Sequence, residues 1–419
     1  MKEKTKLLLI SDHAKTSTGV AVQSNYLVQG LIETGKYEVV QLGAAVYHDD
    51  YSTQTVNEDF KIIPINGFGD KDTIRSMLVS YEPDAMIIFS DSRFFGHIFE
   101  MEDEIHQVCP IMWWHVWDNR PAPKFNKEIY DCVDHINCIS ELTYSLCKEV
   151  TTENKLEYIP HSFDSSLFYQ MKDEEIKFHK EKILGPNFDN MFVCSWVNRN
   201  IRRKRPADVL KSWQIFLQNL NDNRVFKTKE PILLMHTDPY DPQGYNLVEI
   251  AKELNILNNV RFSDQIVEHD KINIIHNISD IHLNIAHSEG FGLSTLEAMM
   301  TGTPIVATLT GGLIRQLIDK KTFEVNGIAL KPTTTMLSGS QAVPYLNEDI
   351  VDVGEVAAAI MGMYCMSDQA INKIGQKAKK YALDTFSYEK MIADWDRSIA
   401  KTLSSWKENY RRVRLEEVV

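Results

Sequence analysis

Short apolar runs alternate along this chain with longer stretches whose apolar residues recur at helical spacing. The apolar run at residues 6–11 predicts a first strand, and a polar loop containing Gly19 follows it. Helical spacing then continues to Gly35, and residues 37–42 predict a second strand. A strand, a loop, a helix and a strand in this order predict an α/β protein with parallel sheets.

The same order of strands and helices continues through the rest of the chain. Further apolar runs predict strands at residues 84–89, 133–140, 191–197, 231–236, 260–262, 281–285 and 303–307. Helical spacing marks residues 353–367, residues 369–384 and the last stretch from Trp395 to Tyr410. The charged residues 172–177 predict a linker, and residues 332–347, with two prolines and a glycine, predict an irregular loop.

A length of 419 residues predicts two domains. The six cysteines are scattered without a Cys-x-x-Cys pair, which indicates buried thiols in a reducing compartment. The apolar run at residues 7–10 is too short for a signal peptide, and no apolar stretch approaches the length of a membrane span. The sequence therefore predicts a cytoplasmic protein.

The net charge of −13 is unevenly distributed. Residues 1–175 carry 15 Lys and Arg against 29 Asp and Glu, whereas the remaining residues carry 30 against 29. An acidic first half argues mildly against a polyanionic ligand or an anionic membrane surface, although a local basic groove or a peripheral membrane contact remains open.

The stretch Glu289-Gly290-Phe291-Gly292-Leu293-Ser294-Thr295-Leu296-Glu297 follows a predicted strand and leads into a helix. Its two glycines let the backbone approach a ligand, and the amides of a helix start suit a phosphate. Two carboxylates beside those amides suggest sugar hydroxyls, so the stretch indicates a nucleotide sugar. The alternative is structural, because Ser294-Thr295-Leu296-Glu297 also has the pattern of a capping box.

Two other segments carry candidate chemistry. A basic loop with Arg199 and Lys204 follows the strand at 191–197, and two such cations could neutralise a diphosphate or contact nucleic acid. Trp113, Trp114 and Trp117 fall within five residues, so their rings could stack on a sugar. The equally weighted alternative is a buried strand with aromatic side chains.

The Glu289–Glu297 stretch, together with Gly302-Thr303-Pro304-Ile305-Val306-Ala307, resembles the Glu-x7-Glu signature of family 4 retaining glycosyltransferases. The resemblance implies the GT-B fold, with two Rossmann-like domains whose parallel sheets face each other across a cleft. It implies an acceptor-side domain at residues 1–180, a nucleotide-sugar domain at 181–399, and a C-terminal helix at about 400–419 that packs back onto the first domain.

The resemblance also implies roles for individual residues. Glu289 and His115 are the expected catalytic residues, and Glu297 is expected to bind ribose. The expected donor diphosphate ligands are Arg199, Lys204, Gly19, Leu293, Ser294 and Thr295. The expected donor sugar contacts are Glu289, Gly290, Phe291 and Gly292. The acceptor side is expected at Trp113, Trp114, Trp117 and Asp118. No metal and no cofactor are implied, since the nucleoside diphosphate sugar is a substrate.

These features predict a retaining glycosyltransferase that moves a sugar from a nucleoside diphosphate to an acceptor hydroxyl. The acceptor stays open between a glycan, a small molecule and a modified DNA base. One alternative is therefore an enzyme of the phage type that glycosylates a hydroxymethylated base in DNA. An alternative of another class is a non-catalytic subunit that binds a sugar nucleotide.

Overall fold

The computed structural model describes residues 4–222, 229–265 and 267–410. These residues form two compact units. The first unit comprises residues 4–163, 340–344 and 388–410, and the second comprises residues 164–339 and 345–387. Each unit contains a mainly parallel sheet and helices, which confirms the predicted α/β class.

The first unit has one sheet, to which eight strands of the described chain belong. Its strands are β1 (Thr5–Asp12), β2 (Tyr37–Ala44), β3 (Gln54–Asn57), β4 (Phe60–Pro64), β5 (Ala85–Phe89), β6 (Ile111–His115), β7 (His135–Cys138) and β8 (Leu156–Tyr158). Their order across the sheet is β3-β4-β2-β1-β5-β6-β7-β8, and all neighbours are parallel except β3 and β4. Strands covered on both faces have near-continuous apolar runs, which is why β1, β5 and β6 are visible in the sequence.

The helices of the first unit connect these strands. They are α1 (Gly19–Glu33), α2 (Lys71–Ser80), α3 (Gly96–Phe99), α4 (Glu102–His106), α5 (Lys127–Asp131), α6 (Glu141–Cys147) and, from the end of the chain, a helix at Tyr388–Asn409. That terminal helix packs on α1, where the hydroxyl of Tyr388 donates to the carbonyl of Tyr26 at 2.8 Å. Residues 411–419 of the predicted C-terminal helix lie outside the described residues.

The second unit has a six-stranded parallel sheet within its described residues. Its strands are β9 (Met191–Val197), β10 (Glu230–His236), β11 (Val260–Ser263), β12 (Ile281–Asn284), β13 (Ile305–Thr308) and β14 (Gly327–Leu330). Their order is β11-β10-β9-β12-β13-β14. Two further strands, β15 (Thr334–Ser338) and β16 (Leu346–Ile350), form a separate antiparallel pair.

The helices of the second unit pack with this sheet and supply about half of the buried core cluster. They are α7 (Asp173–Leu184), α8 (Pro206–Asp222), α9 (Leu247–Glu253), α10 (Ile272–Asn277), α11 (Leu293–Thr301), α12 (Leu313–Leu317), α13 (Val353–Tyr364) and α14 (Asp368–Thr385). The helix Tyr388–Asn409 is therefore α15. α8 is an example of how these helices contribute to the core. Its buried residues, among them Val209, Trp213 and Phe216, have helical spacing, and the helix packs on α13.

Two sequence predictions are wrong in detail. Residues 172–177 do not form a linker, because α7 begins at Asp173 and the backbone N–H of Lys172 donates to the Glu175 carboxylate at 3.0 Å. This helix has no buried residue, so it has no apolar stripe in the sequence. Residues 332–347 are not irregular either, because β15 and β16 pair there. β15 is largely exposed, and β16 is half-buried with Glu348 as its buried residue, so neither strand has a continuous apolar run.

Among the helices of the described chain, none combines the length and the apolar composition that a membrane span needs.

Candidate functional site

The turn between β12 and α11 gives the second unit a helix start that is open at the backbone. Gly292 occupies the N-cap position with a φ of 94°, and no side chain caps the helix. Helix geometry leaves the first N–H groups, those of Leu293, Ser294 and Thr295, without intrahelical acceptors. These amides and the positive end of the helix dipole can receive an anion.

The capping box predicted from the sequence is not formed. Because Gly292 is the N-cap, Ser294 is the second residue of α11 and Glu297 is the fifth. The hydroxyl of Thr295 accepts a hydrogen bond from the Asn284 amide at 3.1 Å, which ties the helix start to the end of β12. The structural alternative for this motif therefore fails, and both carboxylates are held by other groups.

A second pair of glycines fixes the shape of this turn. The amide of Gly312 donates to the carbonyl of Glu289 at 2.8 Å. A Cβ on Gly311 would lie 1.9 Å from the same carbonyl oxygen, and Gly311 has a φ of 51°. The side chain of Gln316 donates to the carbonyls of Phe291 and Gly292 at 2.7 and 3.1 Å. The backbone from Glu289 to Gly292 is thus positioned by direct backbone contact.

Glu289 lies at the centre of a charged cluster and is 8% exposed. Its carboxylate forms an ion pair with the ammonium of Lys204, and the guanidinium of Arg203 is 3.9 Å away. Burial alone would raise the pKa of Glu289, but the charges of Lys204 and Arg203 outweigh it and lower the pKa. The structure therefore joins the two predicted segments through Lys204 and Glu289.

Arg203 is a member of this cluster that the sequence prediction did not include. Its guanidinium donates to the carbonyl of Ser288 at 2.7 Å, directly beside Glu289. The basic loop contains Arg202, Arg203, Lys204 and Arg205, and spacing alone does not say which of them turns toward the glycine turn. A 3₁₀ turn at Arg202–Lys204 makes that selection.

Arg199 lies at the start of the same loop and pairs with a different carboxylate. Its Nε donates to Asp241 at 2.7 Å and its Nη2 donates to the other oxygen at 3.3 Å. Asp241 belongs to the loop after β10, whereas Arg199 follows β9. The Arg199 side chain is 58% exposed, so its guanidinium is accessible while it is held in this fork.

Glu297 is nearly buried and lies between two histidines. His269 Nε2 is 2.8 Å from one carboxylate oxygen, and His276 Nε2 is 3.2 Å from the other. Burial alone would raise the pKa of Glu297, but the charge and hydrogen bond of His269 and then those of His276 lower it to about 2. No sequence signal pointed to these histidines, because a single histidine has no characteristic spacing.

No group of three or more His, Cys, Asp and Glu side chains is arranged to hold a metal ion within residues 4–222, 229–265 and 267–410.

In the first unit, Gly19 begins α1 at the carboxyl end of β1, and it is exposed. Thr18 is the N-cap, and its hydroxyl accepts from the amide of Ala21 at 3.1 Å. The same hydroxyl donates to Asp12 at 2.6 Å. Burial raises the pKa of Asp12. The glycine therefore marks a second helix start at a ligand-binding edge of a parallel sheet.

The aromatic segment of β6 is buried, which favours the buried-strand alternative for Trp113 and Trp114. Both side chains have no exposed surface. The ring of Trp114 stacks on Phe89 with 3.8 Å between centroids, and Trp113 Nε1 donates to the carbonyl of Ser90 at 3.2 Å. The prediction that these two residues contact the acceptor is contradicted, because other protein groups cover their rings.

The other predicted residues of this segment lie at the end of β6 and just beyond it. His115 is 2% exposed, and its Nε2 is 2.6 Å from the hydroxyl of Tyr130. Trp117 is 8% exposed and donates to the carbonyl of Asn119 at 2.6 Å. Asp118 is half-buried. A catalytic role for His115 and an acceptor role for Trp117 and Asp118 stay predictions.

Solved structures share the fold of this chain, and a family model matches part of its sequence. The structure superposes on sucrose-phosphate synthase from Thermosynechococcus elongatus with a TM-score of 0.73 and 16% identity, covering 96% of this chain and 100% of that one. It superposes on Anabaena HepE, solved in complex with UDP and glucose, with a TM-score of 0.69, 16% identity and coverage of 96% and 100%. The fold is that of the GT-B glycosyltransferases, as the sequence predicts.

Part of the sequence matches a known family. Residues 178–340 match the model of the glycosyl transferases group 1. This match over part of the chain agrees with the resemblance drawn from the sequence, and the superpositions show the fold. Alpha-1,3/1,6-mannosyltransferase ALG2 of Dictyostelium discoideum is 29% identical over 141 residues, which are 32% of this chain and 33% of that protein. The matched segments thus span a third or less of the first curated relatives, and 19% for a sucrose synthase.

Proposed function

We propose that the protein is a retaining glycosyltransferase that transfers a sugar from a nucleoside diphosphate sugar to an acceptor hydroxyl. The observation that carries the proposal is the ion pair between Lys204 and Glu289 beside the uncapped start of α11. Cations, helix amides and an ionised carboxylate lie together there, and a sugar linked to a diphosphate needs all three.

The diphosphate would be bound by positive groups of the second unit. Arg199, Arg203 and Lys204 come from one loop, and the amides of Leu293, Ser294 and Thr295 come from the helix start. Fixed donors that face the leaving diphosphate stabilise the charge that develops on it in the transition state. An arginine offers a fork of donors to two phosphate oxygens, whereas a lysine acts as a point charge.

The two carboxylates would bind the hydroxyl groups of the donor. Glu289 is ionised beside Lys204, so it can accept hydrogen bonds from the sugar, and the backbone of Gly290, Phe291 and Gly292 completes that side. Glu297 would accept hydrogen bonds from the ribose. These roles follow the family resemblance, and the charge state of both groups supports them.

The relatives support a nucleotide sugar as donor and leave the acceptor open. Anabaena HepE is described in complex with UDP, with UDP-glucose, and with UDP and glucose. The curated relatives, by contrast, are named for mannosyl transfer, sucrose synthesis and transfer to inositol phosphate. The differing names of these relatives leave the acceptor of this chain open.

A donor screen by thermal shift tests the proposal directly. Nucleoside diphosphate sugars with uracil, adenine and guanine bases are added in turn, and saturation at a hundred times Kd stabilises the fold by about 2.7 kcal/mol. Arg199→Ala should weaken the response, and Arg261→Ala is the matched control, because Arg261 is an exposed arginine on β11. A wild-type protein that responds to none of the donors would contradict the proposal.

Stereochemistry and metal dependence are tested on the turnover reaction. Proton NMR of the first product molecules should show the anomeric configuration of the donor. We expect EDTA to leave the rate unchanged, because Arg199, Arg203 and Lys204 provide the charge that a metal would otherwise supply. An inverted product would refute the retaining mechanism, and a DNA duplex that shifts in a salt-sensitive way would favour the DNA-modifying alternative.

A further inference from the structure

Glu297 is oriented from outside its own helix. It is on α11, whereas the two groups that contact its carboxylate come from the adjacent segment, His269 from the 3₁₀ turn at His269–Lys271 and His276 from α10. Each oxygen of the carboxylate has one imidazole Nε2 within hydrogen-bond distance, at 2.8 and 3.2 Å. The plane and the rotation of the carboxylate are therefore both fixed.

The rings that hold Glu297 are themselves held by aromatic packing. The ring of Phe168 is 4.8 Å from that of His269 and 6.4 Å from that of His276, nearly edge-on to both. His276 is fully buried, and its ring is 5.1 Å from that of His282. Such packing leaves the imidazoles little freedom to turn away from the carboxylate.

The direction of the two hydrogen bonds follows from the charge of the carboxylate. An ionised carboxylate has no proton to donate, so each Nε2 must carry the hydrogen of its bond to Glu297. Neighbouring histidines do not add positive charge, because burial lowers the pKa of His236 and lowers that of His282 well below its ordinary value.

Two acceptor positions remain on the carboxylate after the histidines have bound. A carboxylate has about four lone-pair sites, and two are used by His269 and His276. The remaining two are on different oxygens of one rigid group, so they match two hydroxyls on adjacent carbons. A nucleotide that lacks one of these hydroxyls would leave a buried acceptor unpaired, which strongly disfavours binding.

We propose that His269 and His276 are positioning residues that aim Glu297 at the 2′ and 3′ hydroxyls of the donor and thereby select ribonucleotides over 2′-deoxyribonucleotides. The inference rests on the proposed function, in which a nucleoside diphosphate sugar is the donor. Neither histidine needs to touch the nucleotide, since each acts through Glu297.

A cycle of one protein change and one ligand change tests this role. UDP, ADP and GDP are titrated by calorimetry into the wild type, and the tightest of them is compared with its 2′-deoxy form. The wild type should prefer the ribonucleotide by about tenfold or more, the effect of one hydrogen bond to a charged group. His269→Ala should weaken the ribonucleotide about tenfold but the 2′-deoxy form only about twofold, so that the preference nearly disappears.

His269→Gln retains an N–H donor and should recover part of the preference. The matched control is His179→Ala, since His179 also meets a phenylalanine edge-on, at 5.2 Å from Phe178, but lies on α7. Because His276 is fully buried, His276→Gln is compared only if its melting curve stays cooperative. His269→Ala does not depend on that condition.

The possible outcomes separate this inference from the proposed function. If no nucleoside diphosphate binds the wild type, both fail. If ribonucleotides bind but His269→Ala weakens the ribo and 2′-deoxy forms equally, the proposed function stands and the positioning role is refuted. If the wild type does not distinguish the two forms, Glu297 does not bind the vicinal hydroxyls and the selection by its histidines is refuted.

Discussion

The carboxyl ends of the two parallel sheets differ in how they treat polar groups. In the second unit, Glu289 and Glu297 are almost buried, yet each has cationic or N–H partners that keep it ionised. In the first unit, the end of β6 is packed with Trp113, Trp114 and His115, which meet rings and carbonyl groups. Two sheets of the same class thus present one edge organised by charge and one organised by aromatic packing.

The comparison shows that burial has different consequences at the two edges. A buried charge is costly unless it is paired, so removing a partner should affect both stability and ligand binding in the second unit. A buried aromatic contributes through packing, so removing it should affect stability alone.

The largest effect is expected at Lys204. Lys204→Met leaves the buried Glu289 without its ion-pair partner, which should cost about 3–5 kcal/mol in the free energy of unfolding. In its proposed role Lys204 faces the leaving diphosphate, so the variant should also lower kcat/KM by about 100-fold or more. Denaturant unfolding and initial rates measure the two effects. The double variant Lys204→Met with Glu289→Gln should regain stability but not activity, and recovery of both would contradict the assigned role.

A similar loss of stability without loss of donor binding is expected in β6. Trp114→Ala empties a site between Phe89 and Trp395 and should cost about 3–5 kcal/mol. Donor affinity, measured by calorimetry at a temperature where the variant is folded, should stay within about twofold of the wild type, well under a one-hydrogen-bond effect. Trp114→Phe should show a smaller loss. A large drop in donor affinity would return Trp114 to the binding site.

Gly311→Ala should show how closely the glycine turn is fitted. The added Cβ meets the carbonyl of Glu289 at 1.9 Å, and the positive φ adds strain of about 1–2 kcal/mol. Gly67→Ala is the control, because Gly67 has a similar φ of 56° and no heavy atom within 4 Å of the added Cβ. The control should lose stability only, whereas Gly311→Ala should lose more stability and also weaken donor binding. Equal losses would mean that the contact with Glu289 is unimportant.

A further effect is a difference in pH dependence between the two units. Burial lowers the pKa of His161 to about 3, so the folded first unit stays unprotonated there while the unfolded chain takes up a proton below its ordinary pKa. Stability should therefore fall as the pH falls from about 6.5 to 3, by up to about 1.4 kcal/mol per pH unit.

The contribution of Glu297 to stability should be lost at a lower pH than that of His161, because the pKa of Glu297 is about 2. Its pairing with the histidines stabilises the fold above the ordinary pKa of a glutamate, and this stabilisation is lost as the pH falls toward 2.

Denaturant unfolding at pH 7, 6 and 5 tests the role of His161. The free energy of unfolding should decrease with falling pH in the wild type and decrease less in His161→Asn. An unchanged slope in the variant would exclude His161 as its source.

The sequence predicted most of what apolar spacing can encode. The strands at 191–197 and the helices at residues 353–367 and 369–384 lie close to the observed elements, because their apolar residues are buried. The exposed elements α7 and β15 and the half-buried β16 have no such stripe, so they were missed. In the site, Lys204 and Glu289 were found because the family motif places them in the sequence.

The remaining site residues depend on contacts that cross the chain. Arg203 reaches Glu289 over 86 positions because of a 3₁₀ turn, and Asp241 reaches Arg199 from the next loop. The sequence allows Trp113 to be either a ring that stacks on a sugar or a buried core residue. Only its packing in the structure distinguishes the two roles. Local periodicity carries no information on which of four neighbouring cations turns inward.

The pairing of Arg199 with Asp241 and of Lys204 with Glu289 makes the proposed donor site electrically compensated before a ligand arrives. A diphosphate would then bind to cations that already have a counter-ion, and Asp241 and Glu289 would stay beside them. Because these paired residues carry little net charge, dissolved salt has little long-range attraction to screen. We therefore expect the affinity for a nucleoside diphosphate to vary only weakly with ionic strength.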